Sequence, residues 1–185
     1  MKTTYTHMRK QGFTLIETMV AISVLLIAVV APMTLAQDGI TAARLAQDQI
    51  VAFYMAQEGV ELVRNIRDEN KLAGIDQLSG NLVACKADPN NVNDRGCYID
   101  ATQISGGSFL VNDCASSGCP IMRSNDDIYT YRSTSSYQDT KYTRQIKAWY
   151  VQDPIRTEVR VEVSVTWPFQ NATRSYILYE NLLSW

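Results

Sequence analysis

From Phe13 to Ala36 the chain is apolar at nearly every position, and its one ionisable side chain in that stretch is Glu17. These 24 residues would rise about 36 Å as a helix, at about 1.5 Å each, which is enough to cross the hydrocarbon of a bilayer. A helix that is apolar on every face has to be surrounded by lipid or by other helices. An ionised carboxylate in such a helix is costly unless it finds a partner. Glu17 is therefore the residue that most needs explaining, and no other side chain of the segment can neutralise it.

Upstream stand Lys2, Arg9 and Lys10 and no acid, a basic flank of the kind that holds a leader on the cytoplasmic side. The junction reads Gly12-Phe13-Thr14-Leu15-Ile16-Glu17, and a cut between Gly12 and Phe13 would create a backbone amine able to pair with Glu17. These residues resemble the class III signal of bacterial type IV pilins and pseudopilins. The resemblance implies cleavage after Gly12 by prepilin peptidase, a membrane-embedded aspartyl peptidase, and N-methylation of Phe13. It also implies that Glu17, fifth in the mature chain, meets the terminal amine of a neighbouring subunit and so sets assembly register. Two other readings compete. Thr34-Leu35-Ala36 has the small-x-small ending of an ordinary signal peptide, with cleavage before Gln37, and an uncut anchor would start at Met1. Both leave Glu17 unpaired.

The chain has 185 residues, so beyond the leader and the apolar run there is room for one domain of roughly 150 residues. Its 17 basic residues face 19 acidic ones, and three of the basic ones lie in the leader, which leaves the remainder weakly acidic. Such a balance argues against nucleic acid as a partner. The single histidine, His7, also falls in the leader, so a processed chain lacks the commonest general base and metal ligand.

The pattern predicts one helix from Phe13 to about Glu69, with a helix break or loosening at Pro32, where one backbone hydrogen bond is lost. Type IV pilins often carry a helix breaker in this region. Beyond Gln37 the helix turns amphipathic. Val51, Met55, Leu62 and Ile66 fall within about 60° on a helical wheel, with Gly59 on the same stripe. This stripe is expected to face a sheet, and Gly59 to allow close approach. Asp48, Gln57, Glu61, Arg64 and Asp68 are read as the solvated or subunit-facing side, with Glu61–Arg64 and Arg64–Asp68 at helical spacings. The run Ala56-Gln57-Glu58-Gly59-Val60-Glu61, followed by Arg64-Asn65-Ile66-Arg67-Asp68, is similar to the stem of minor pilins of the modification-protein kind, the PilV group.

Residues 70–127 are rich in Gly, Asn, Asp and Ser, and read as a connecting loop with one or two short strands, such as Tyr98–Ile99 and Phe109–Val111. All four cysteines, Cys85, Cys97, Cys114 and Cys119, lie here, and in an exported chain they read as two disulfides. Of the three pairings, Cys85 with Cys97 and Cys114 with Cys119 is favoured because neighbours close small loops. A four-cysteine zinc site is the rival, though no Cys-x-x-Cys pair is present. Asp88, Asn90, Asn93 and Asp94 group hard oxygen donors, but their order does not fit an EF-hand loop, so calcium is not expected at Asp88, Asn90 and Asp94 and no cofactor is assigned.

Residues 128–185 read as an antiparallel sheet. Val159, Val161, Val163, Val165 and Trp167 alternate with polar residues, Ile146, Ala148 and Tyr150 mark the strand before, and Ser175–Tyr179 the strand after. Ile128–Arg132 is read as the start of the set, and Pro168 as the end of the valine strand. Together these give an α+β, type IV pilin-like fold. Its long N-terminal helix has an apolar half (13–36) that protrudes and a second half (37–69) packed on the sheet, with residues 1–12 as a cytoplasmic leader.

No Gly-x-Ser-x-Gly elbow, phosphate loop or HExxH occurs, and no enzymatic role is expected. The resemblance implies a minor pilin of a type IV pilus, with prepilin peptidase, an inner-membrane assembly platform and the other pilins of the filament as partners. It would sit in the inner membrane with its head outside before joining a surface or periplasmic filament. A pseudopilin of a type II secretion or DNA-uptake system and a pilus-displayed adhesin are the alternatives.

Overall fold

The structure is a computed structural model that describes residues 12–88, 91, 94–125, 128–152 and 155–183. Helix α1 spans Leu15–Leu72, followed by a 3-10 turn, Gly80–Cys85. Seven strands follow: β1 (Cys97–Ser105), β2 (Ser108–Asp113), β3 (Ile121–Ser124), β4 (Tyr129–Thr130), β5 (Gln138–Tyr150), β6 (Glu158–Phe169) and β7 (Ala172–Leu183). The chain divides into two compact units, Met1–Ala46 and Gln47–Trp185.

The second unit is an α+β head in which the later turns of α1 pack on a seven-stranded antiparallel sheet. Strand β5 is central: β6 pairs along one side, while β1 and β3 share the other, extended by β2 and β4 respectively. Alternation decides which face is buried. In β6, Val159, Val161, Val163, Val165 and Trp167 are buried, and in β5 Tyr142, Arg144, Ile146 and Ala148 are. Against them α1 buries Ala52, Met55, Ala56, Val60, Leu62, Val63 and Ile66. Gly59 stands where the approach is closest: a Cβ there would lie 2.9 Å from Val163 Cγ1 and 3.4 Å from Arg144 Cδ.

Several sequence expectations need correction. The helix is not interrupted at Pro32, because a single missing donor removes one rung while its neighbours remain helical. It ends close to the expected position, at a Schellman cap: Gly74 has φ +72°, the Ile75 N–H reaches the Asn70 carbonyl at 3.0 Å, and the Gly74 N–H reaches that of Lys71 at 3.0 Å. The segment read as a connecting loop contributes β1, β2 and β3 to the sheet, so the set does not begin at Ile128. Pro168 does not end β6, which continues to Phe169 opposite β7. What stops near Pro168 is the ladder to β5, whose last pair is Thr143 with Thr166, and a residue without an N–H is tolerated where that neighbour is gone.

Asp48 is not on the wet side of the helix. At about 100° per residue it falls on the same stripe as Met55 and Ile66, and it is buried, with Tyr142 donating to it at 3.0 Å and Lys141 Nζ at 2.7 Å. Arg64 does pair with Glu61, but its second partner is Glu180 of β7, and Asp68 pairs with Arg67 instead. Disulfides join Cys85 to Cys97 and Cys114 to Cys119. The first ties the 3-10 turn to the start of β1, and the second closes a turn in which Gly118, at φ +105°, donates to the Ala115 carbonyl at 2.9 Å.

Because Val163 is short and β-branched, it cannot swing clear of a methyl group added to α1. Gly59→Ala is expected to lower head stability by about 1–3 kcal/mol, despite the better helix propensity of alanine. Thermal melts should show Val163→Ala recovering part of that loss in the double variant, a coupling that two independent defects would not show.

Candidate functional site

The N-terminal segment is assembled by local rules. Thr14 precedes α1 and caps it: its Oγ1 accepts from the Glu17 N–H at 3.3 Å, and its carbonyl accepts from the Glu17 and Thr18 N–H groups at 3.1 and 3.2 Å. Thr14 and Glu17 have the Thr-x-x-Glu spacing of a capping box, and Glu17 lies in the first turn, where the helix dipole favours a carboxylate. Glu17 thus has partial support within its own chain, a contribution the reading of the apolar run alone overlooked. Thr14 was visible in the sequence as the signal for it. Gly12, Phe13, Thr14 and Glu17 line one surface recess, and Phe13 is 81% exposed.

From Leu15 to Ile40 every large apolar side chain is more than half exposed, on all faces of the helix. The hydroxyls in this stretch turn back on the helix. Thr18, Ser23 and Thr34 donate to the carbonyls of Leu15, Met19 and Ala31, each at 2.8 Å. Side chains satisfied in this way suit a helix in lipid or in a bundle, where no water is present to bond them. The helix is long and apolar enough to cross a membrane.

Residues 7–31 match the prokaryotic N-terminal methylation motif. No curated protein matches the chain, and no solved structure does. The motif, together with an apolar helix near the N-terminus and the α+β head, supports a type IV pilin-like or pseudopilin-like protein of the prepilin type. The motif implies processing by prepilin peptidase and assembly with other pilins.

In the head, the acidic and amide residues near position 90 make local hydrogen bonds. The Asp88 backbone N–H donates to the Asp94 carboxylate, and the Asn91 N–H to the Asp88 carbonyl at 2.9 Å, so these residues close turns on one another. Asn90 and Asn93 lie outside the described residues. No group of three or more metal-ligating side chains occurs among the described residues.

Two carboxylates are held strongly by polar neighbours. Asp100, 1% exposed, accepts from the Thr102 N–H at 2.9 Å, Gln103 Nε2 at 2.7 Å, Thr130 Oγ1 at 2.9 Å and the Tyr131 N–H at 3.0 Å. Burial pushes its pKa up, but the hydrogen bonds from Gln103, the Tyr131 N–H and Thr102 outweigh burial and hold it below the usual carboxylate range. The same contest decides Asp76: burial raises it, while Tyr150, Arg156 and the Leu78 N–H together bring it lower. Burial and the adjacent carboxylate push Tyr150 up to about 12.

A carboxylate whose pKa is depressed by folding stabilises the native state above its unfolded pKa of about 4 and loses that contribution as pH falls through the lower folded value. The head is therefore expected to weaken in acid from about pH 4 downward. Asp100→Asn should cost about 1–3 kcal/mol at neutral pH by leaving donors poorly matched, and denaturant titrations across pH should show a shallower acid limb in that variant.

Proposed function

We propose that this chain is a minor pilin, closest in kind to the PilV group, of a bacterial type IV pilus. It enters the inner membrane as a prepilin, is cut between Gly12 and Phe13, is N-methylated at Phe13, and is then built into the filament through α1. The observation that carries this reading is the methylation motif over residues 7–31 at the head of a helix whose apolar side chains are exposed on every face. In the filament, those faces pack against the helices of other subunits. Glu17 pairs with the Phe13 amine of a neighbour, and an ion pair in an apolar setting rewards one axial offset over others, as buried polar groups do in coiled coils.

Intact mass and N-terminal sequencing of protein from membranes are expected to give N-methylated Phe13. A start at Gln37 or Met1 would overturn the proposal. Gly12→Val should leave an uncut precursor. Glu17→Ala should be cut normally yet incorporate poorly, since losing one member of a buried pair costs on the order of 3 kcal/mol, well over tenfold in occupancy. Sheared filaments probed for the chain read this directly, and undiminished incorporation would remove Glu17 from the assembly role. A low abundance relative to the main subunit of those filaments is the expected mark of a minor component.

A further inference from the structure

Among the described residues, strand β7 is a twelve-residue edge that pairs only with β6. The other margin of the sheet is treated differently: the 3-10 turn packs against β2, and β4 is only two residues long. Covered edges and short edges are the usual ways a sheet prevents pairing with another chain. In β7 the segment Ser175-Tyr176-Ile177-Leu178-Tyr179 carries no charge, proline or glycine, and it is rich in strand-forming residues.

The hairpin fixes which backbone groups point outward. Phe169 and Ala172 close the two-residue turn at Gln170–Asn171 as a hydrogen-bonded pair, so alternate residues from Ala172 to Leu182 direct their N–H and C=O groups to β6. Pro168, opposite Thr173, falls in a pair that exchanges no such bonds, consistent with this parity. Thr173, Ser175, Ile177, Tyr179 and Asn181 consequently present theirs at the edge. Leu183 closes the free stretch, because its carbonyl accepts from Arg67 at 3.0 Å.

We propose that the chain self-associates through β7, as an antiparallel pair of strands from two copies centred on Ile177. That register sets Ser175 opposite Tyr179 and Thr173 opposite Asn181, so each outward N–H meets an outward C=O of the other copy. It also sets Arg174 of each copy opposite Glu180 of the other. A shift of two residues in either direction would put Arg174 opposite Leu178 or Leu182 instead, so charge selects the centred register. Glu180 is suited to a further cation, because Glu61 and Glu180 share the single guanidinium of Arg64, and Arg174 is exposed.

The test uses the full chain in detergent micelles. All four native cysteines are in disulfides, so Ser175→Cys and Tyr179→Cys each add one free thiol. A short bis-maleimide is expected to give several-fold more covalent dimer in a mixture of the two variants than in either alone, because like positions lie about 14 Å apart in the centred register, at about 3.4 Å per residue. Ile177→Pro placed in both chains should abolish the dimer while circular dichroism stays unchanged, since its N–H takes no part in the β6 ladder. Equal yields in all three samples, absence of dimer, or crosslinking that survives Ile177→Pro would overturn the proposal.

Discussion

The head depends on a guanidinium that has no access to water. Arg144 is 1% exposed in the middle of β5, and its donors reach the Met55 carbonyl at 3.1 Å, the Glu58 carboxylate at 2.7 Å and the Ile99 carbonyl at 2.9 Å. A buried cation is tolerated only where acceptors are already in place around it. Here they come from α1 and β1, so helix and sheet can close over Arg144 only at one rotation and one height. The neighbouring Gly59 follows from the same requirement, since the helix must come within contact distance of Val163 for Glu58 and the Met55 carbonyl to reach the guanidinium.

Other polar attachments repeat this logic along the helix. Asp48 meets Lys141 and Tyr142, Arg64 meets Glu180, Arg67 meets the Leu183 carbonyl, and Asn70 holds the Gln77 and Ser79 carbonyls at 3.1 and 2.9 Å. Hydrophobic burial is non-directional and would accept some sliding of the helix over the valines. The directional contacts do not. From Leu15 to Ile40 the same helix carries a different kind of surface: its hydroxyls bond their own backbone, its large apolar side chains are exposed, and among the described residues it presents no comparable polar anchors. Fixed geometry in one stretch and an apolar surface in the other are what a subunit needs if its head is to hold its shape while its N-terminal helix associates.

The features legible in the sequence were those with a long, regular period. The valine alternation of β6 and the stripe of α1 each repeat often enough to identify themselves, and the α+β class follows from the pair. The short strands β3 and β4, four and two residues long, have too few alternations to distinguish from loop, and β1 is broken by a register shift between Asp100 and Ile104. The buried charges were harder to see for a different reason: charge dominates the expectation of exposure. Yet parity already placed Arg144 on the same face as Ile146 and Ala148, and helical angle placed Asp48 beside Met55. In both cases the period was the better guide, because a charge can be buried when partners from another element surround it.

Glu17 shows how a local and an intermolecular explanation can share one residue. The capping bonds engage it through its backbone N–H, which leaves both carboxylate oxygens for another partner, while the first turn of the helix supplies a partial positive charge close by. That charge is about half an elementary unit at most, too little to neutralise a carboxylate in an apolar surrounding but enough to lessen the cost of holding it there. In the proposed filament, the amine of a neighbouring Phe13 would supply the remainder. A subunit waiting in the membrane would then keep a carboxylate that is supported but not satisfied. The difference between those two conditions would give incorporation at one axial position an electrostatic reward that apolar helix packing, indifferent to small shifts, lacks.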